Sequence, residues 1–143
     1  MNLTPQCELI YEAIADIADV QSLGQSALGQ RYIVNILGGE FHGPQMKGVI
    51  LPGGADRQLV RPDGIKELDA LYEMQTDDGV ILTVHNQVII DMPQTEQRYA
   101  RSVVRFRAPE GRYEWLNRRV FVGSLESLKP ARNAVKICVF QLN

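Results

Sequence analysis

Residues 38–64, GGEFHGPQMKGVILPGGADRQLVRPDG, hold seven of the chain's twelve glycines and three of its seven prolines. Glycine opens φ > 0, and proline fixes φ while removing a backbone donor, so breakers at this density exclude a helix. They fall in groups, Gly38-Gly39, Gly43-Pro44, Pro52-Gly53-Gly54 and Pro62-Asp63-Gly64, with short extended runs between them. Strand-length runs alternating with turn signals predict an antiparallel meander.

The same pattern continues along the chain. It predicts strands over residues 31–37, 46–51, 56–61, 65–76, 80–90, 100–108, 113–116, 118–124 and 135–142, with a surface loop between Pro93 and Tyr99. Residues 8–20, ELIYEAIADIADV, read both ways. Leu9, Ile10, Ala13, Ile14 and Ile17 form a helical stripe, while Leu9, Tyr11, Ala13, Ala15 and Ile17 alternate as a strand would; periodicity alone favours the helix. A sheet of eight or nine strands in one small domain leaves costly open edges unless it closes, which predicts a β-barrel.

Composition supports one ordinary globular domain of 143 residues, with 45% hydrophobic and 22% charged side chains. No apolar run approaches the roughly 20 residues of a spanning helix, and MNLTPQCELIYE lacks a secretory pattern, so a soluble cytoplasmic protein without membrane contact is expected. Cys7 and Cys138 stand in no CxxC or metal-type spacing and read as reduced thiols. Residues 1–97 carry five basic against fourteen acidic side chains, and residues 98–136 ten against three. Arg101, Arg105 and Arg107 nevertheless alternate with Val104, Phe106 and Ala108, the signature of a half-buried strand, and no interleaved aromatic motif points to nucleic acid.

Familiar chemical motifs do not occur. His42 and His85 lie in neither HxH nor HExxH, so no metal is expected; GxSxG, GxGxxG and a GK[ST] phosphate loop are missing, so no cofactor is expected either. Carboxylates are the informative set. A two-residue turn at Asp63-Gly64 would pair Arg61 with Lys66, Gln58 with Asp69 and Asp56 with Leu71. With a tight turn at Asp78-Gly79 as well, one face would present Asp56, Gln58, Asp69, Glu73 and Asn86, and the other Leu59, Leu68, Ala70, Tyr72, Met74 and Ile81. The polar face is then either solvated or the lining of a barrel lumen.

In order and spacing the run Gly29-Gln30-Arg31, the pairs Gly38-Gly39 and Gly43-Pro44, the block PGGAD at 52–56, Asp63-Gly64, LDALY at 68–72, TDDG at 76–79 and the later YEWLNRRVFVG resemble the DUF3237 family, also called UPF0311. That resemblance covers nearly the whole chain. It implies a closed, lipocalin-like antiparallel barrel of about eight to ten strands, all-β, with the first segment a strand, and it implies no assigned activity. Two positions depart from the family pattern. Arg57 follows PGGAD where the family usually has Trp, and Leu71 replaces an arginine that would stand opposite Asp56.

Three functions remain open at this level. The first is a barrel binding a small, anionic or aromatic molecule, held by Arg31 and Asn86, with the loops at 38–44 and 52–55 and the aromatics Tyr113 and Trp115 at its rim. The second is a cofactor-independent isomerase, cyclase or lyase in which Asp56 or Asp69 transfers a proton and Arg31 holds an anionic substrate. The third is a structural homodimer formed through the outer sheet face. On either of the first two, Arg31, Asp56 and Asp69 are expected to converge inside the barrel near Asn86.

Overall fold

The structure, a computed structural model, describes residues 2–93 and 97–143. Among the described residues ten strands follow one another: β1 (Cys7–Ile17), β2 (Gln21–Ser26), β3 (Gly29–His42), β4 (Lys47–Ile50), β5 (Ala55–Val60), β6 (Lys66–Thr76), β7 (Ile81–Asp91), β8 (Tyr99–Arg107), β9 (Phe121–Ser127) and β10 (Ala134–Leu142). All pairings are antiparallel. Two of the eight wall positions are shared by consecutive strands. β1 and β2 run in succession along β3, and β4 and β5 run in succession between β3 and β6. Pairing of β1 with both β10 and β3 closes the wall, so the expected closed antiparallel barrel is present. Closure leaves few unpaired strand edges.

The first segment is a strand and not a helix. A bulge between Leu9 and Tyr11 places Ile10 and Tyr11 both in the core, after which Ala13 and Ala15 alternate inward. The bulge accounts for Ile10 in the helical stripe, whereas Leu9, which is exposed, and Ile14, between inward-facing Ala13 and Ala15, stay out of the core. Two other expectations change. Residues 21–26, which lie outside every expected strand, pair with β3, and the short strand expected over 113–116 gives way to a 3₁₀ turn at Glu114–Arg118 preceded by Tyr113. The loop expected after Pro93 includes residues 94–96, which lie outside the described residues. Among the described residues no helix is long and apolar enough to cross a membrane.

The two ends of the barrel differ. At one end the 3₁₀ turn folds across the opening, with Tyr113 and Leu116 buried beneath it. Asn117 ties it to the wall, donating to the Ala108 carbonyl and accepting from the Ala108 N–H, both at 2.8 Å. Below lie Tyr11, Phe41, Phe106 and Phe121 in edge-to-face contact, with Phe106 and Phe121 centroids 4.9 Å apart. Toward the other end the inward side chains become smaller or polar, and the packing opens into a cavity.

Candidate functional site

The hairpin joining β5 to β6 decides which side chains enter that cavity. Its loop has three residues, Pro62-Asp63-Gly64: Arg61 N–H donates to Ile65 O and Gly64 N–H to Arg61 O, each at 2.9 Å, with Gly64 at φ +87. The loop after β6 repeats the design, with Thr76 N–H donating to Val80 O, Gly79 N–H to Thr76 O, and Gly79 also at φ +87. A three-residue loop ending in a left-handed glycine carries the same Asp-Gly signal as the expected two-residue turn. The extra residue shifts the register by one. Asp56 therefore lies opposite Ala70, Gln58 opposite Leu68 and Val60 opposite Lys66.

A one-residue shift sends every side chain to the other face. Asp56, Gln58, Leu68, Ala70, Tyr72, Asn86 and Val88 all line one cavity, whereas Asp69 lies exposed on the outer wall and meets His85 Nε2 at 2.6 Å. The expected meeting of Asp56 with Asp69 does not occur. Arg31 is also outside, because the β3 alternation turns Tyr32, Val34 and Ile36 inward. Tyr113 and Trp115 stand at the closed end instead of the rim: the Tyr113 hydroxyl donates to Asp78 Oδ1 at 2.8 Å, and Trp115 packs on Phe121. The loop at 43–46 is at that end too, since Asp77 N–H donates to Lys47 O. Leu71 faces out opposite Ala55 and His85, so an arginine there would not face Asp56. Arg57 is likewise exposed.

The cavity measures about 470 Å³. Its polar floor is a row across three strands, Asp56 on β5, Ala70 on β6 and Asn86 on β7, with Tyr72 one inward position further along β6. The small Ala70 side chain leaves the space between the two polar neighbours open. Gln58 Nε2 donates to Asp56 Oδ2 at 2.8 Å, but Asp56 Oδ1, Asn86 Oδ1 and the Tyr72 hydroxyl are buried without a hydrogen-bond partner among the described residues. Each such atom costs about 1–3 kcal/mol, and folded proteins retain few of them.

Burial pushes the Asp56 carboxyl up from 3.8 to about 6, although the Gln58 amide, the Asp69 backbone N–H and the charge of Lys66 oppose the shift. Burial likewise raises the Tyr72 phenol, and an Asn86 amide near its oxygen, not aligned as a full hydrogen bond, offsets this only in part. The mouth has the opposite charge. Half-buried Lys66 and exposed Arg98 and Lys129 line it, and burial together with its two cationic neighbours holds Lys66 below its ordinary value against the pull of Asp56. Apolar walls from Val34, Val60, Val88, Ile90, Leu125 and Val135 run from the level of the floor to that of the mouth. Among the described residues no three His, Cys, Asp or Glu side chains come together as a metal-binding group.

The family model described as "Protein of unknown function (DUF3237)" matches residues 5–142. The chain belongs to the DUF3237 family. A UPF0311 protein of Rhodopseudomonas palustris is 34% identical, covering 97% of this chain and 96% of its own. A crystal structure from that organism, of a conserved protein of unknown function, superposes on this DUF3237 barrel with a TM-score of 0.89 at 35% identity, covering 99% and 100% of the two chains. A beta-barrel like protein of Acinetobacter baumannii gives 0.90 at 29% identity, over 100% and 99%. The DUF3237 fold is thus shared across the full length of these chains.

Of the cavity residues, Tyr72, Lys66, Arg98 and Lys129 had no place in the expected site. Tyr72 and Lys66 were legible as β6 positions alternating with Leu68 and Ala70, once the register was fixed. Arg98 and Lys129 lie beyond strand ends, where periodicity says nothing about direction.

Proposed function

We propose that the barrel binds a small organic molecule in its lumen, with an apolar body against the valine and isoleucine walls and a hydrogen-bonding group on the floor formed by Asp56, Tyr72 and Asn86. The observation that carries this reading is the group of three polar atoms, without a hydrogen-bond partner among the described residues, that face one cavity of ligand size. Asp56 Oδ1 and Asn86 Oδ1 accept, so the group they suit is a hydroxyl, phenol or N–H donor, and the Tyr72 hydroxyl can donate in return.

Filling the floor tests it. Thermal unfolding is followed with a panel of hydroxylated aromatic and alicyclic compounds, for the native chain and for Ala70→Leu. Compounds that raise the native Tm and leave Ala70→Leu unmoved support lumen binding; shifts of equal size in both chains would place binding elsewhere.

A second reading has its own observation. A carboxyl near 6, inside a cavity and beside a buried phenol, suits a general base working near neutral pH. It would take a proton from a bound substrate, with Asp56 alone in the role sequence reading shared between Asp56 and Asp69. Under this reading Asp56→Asn retains substrate and abolishes turnover, whereas Asp69→Asn leaves both unchanged.

A further inference from the structure

We infer that the lumen selects an acidic amphiphile bound head-out, its anionic group at the mouth between Lys66, Lys129 and Arg98 and its neutral end on the Asp56 floor. The inference rests on the lumen-binding reading and adds the ligand's charge and direction. Three cations line the opening, and among the described residues the only acid lining the cavity is Asp56 at its floor. Among the described residues none of the three cations has a carboxylate within ion-pair distance, although other basic side chains, such as Arg61 and Arg132, do.

Lys66 gives the direction. It sits on the inner face of β6, two inward steps from Ala70, and so looks along the cavity wall instead of out into solvent. Its charge is disfavoured by burial and by Arg98 and Lys129, and a bound anion would relieve both. An anion at the floor would meet the opposite situation, since Asp56 and the acceptor oxygen of Asn86 repel it. One end of the cavity therefore favours negative charge and the other rejects it. A carboxylate, sulfonate or phosphate on an apolar scaffold satisfies both ends only when it points outward.

Two fluorescent probes separate charge from shape: anilinonaphthalene sulfonate, and N-phenylnaphthylamine, which has the same aromatic body without the sulfonate. Both are titrated into the full chain at low salt. The expected result is binding of both, with the sulfonate bound about tenfold more tightly, a preference that shrinks in 0.5 M salt as screening shortens to a few ångströms. Lys66→Gln with Lys129→Gln should remove most of the preference while the neutral probe's affinity stays within about twofold, which also shows that the variant folds. Ala70→Leu, or Val60→Trp nearer the mouth, should weaken both probes. Equal affinities for the two probes, or a preference untouched by the double substitution, would overturn the head-out inference and leave lumen binding standing. Failure of both probes to bind, or binding unchanged in both filling variants, would overturn lumen binding itself.

Discussion

Asp56 and Asp69 lie on adjacent strands one register step apart, Asp56 opposite Ala70 and Asp69 opposite Arg57, and therefore on opposite sides of the barrel wall. Their environments differ accordingly. Asp56 has a buried oxygen without a partner among the described residues and a carboxyl pushed up by burial, while Asp69 shares solvent with His85.

The raised Asp56 carboxyl makes stability depend on pH in a direction opposite to that of a salt-bridged acid. Below 3.8 the group is neutral in folded and unfolded chains alike. As pH rises from 3.8 to about 6 the unfolded chain releases its proton and the folded chain holds it, so stability declines; above about 6 the loss is complete. The gap corresponds to about 3 kcal/mol. Urea denaturation at intervals from pH 4 to pH 8 should show the native chain losing up to about 3 kcal/mol relative to Asp56→Asn, with most of the change between pH 4 and 6. Parallel profiles for the two chains would mean that Asp56 is well solvated.

Asp69 should behave as surface charge. Its contact with His85 is close, but both side chains are substantially exposed, 56% and 38%. Pairs of this kind contribute about 0–1 kcal/mol. Asp69→Asn is therefore expected to change unfolding free energy by less than about 1 kcal/mol and to leave probe binding unchanged. A larger loss of binding would connect the outer wall to the lumen.

Much of the fold was legible because breakers and alternation are local signals. The turns at 62–64 and 77–79 announced themselves, and Val104 and Phe106 against Arg105 and Arg107 gave the inner and outer faces of β8 directly. The site was less legible because its membership depends on one integer, the number of residues in a turn. Asp63-Gly64 fits both a two-residue and a three-residue loop, and the choice exchanges Asp69 for Ala70 and Tyr72 on the lumen face. Tyr113 and Trp115 failed differently: an aromatic segment after a turn can line an opening or plug it, and only the long-range bonds from Tyr113 to Asp78 and from Asn117 to Ala108 show that it plugs.

That plug supplies a spectroscopic control. Trp115 is the chain's single tryptophan and packs on Phe121, at the end of the barrel away from Lys66 and Lys129, and it does not line the cavity. Its emission should therefore stay unchanged at saturating concentrations of a ligand that does not absorb in its range, and should shift to the red on unfolding. A ligand-induced shift before any unfolding would place ligand at the closed end.

Gly39 tests the closure on which the cavity depends. It pairs with Ala15 of β1 on one side and Ile50 of β4 on the other, at the seam where the first strand meets the third. Its φ is +144, a conformation side chains rarely adopt, and an added Cβ would come within 2.1 Å of the Ile14 carbonyl oxygen. That oxygen belongs to the backbone of the facing strand, so relief requires the seam to part. Gly53 is the comparison. It too has positive φ, +109, but an added Cβ there would meet nothing within 4 Å among the described residues. Backbone strain alone should cost Gly53→Ala about 1–2 kcal/mol. Gly39→Ala adds overpacking against a rigid neighbour and should cost roughly 2–5 kcal/mol, a large part of a small domain's stability. The difference appears as a lower urea midpoint for Gly39→Ala, together with weakened probe binding because Ala15, Ile17 and Ile36 beside the seam all line the cavity. Equal midpoints for the two variants would show that the β1–β3 seam gives way easily, and the lumen would then be bounded by a wall that opens.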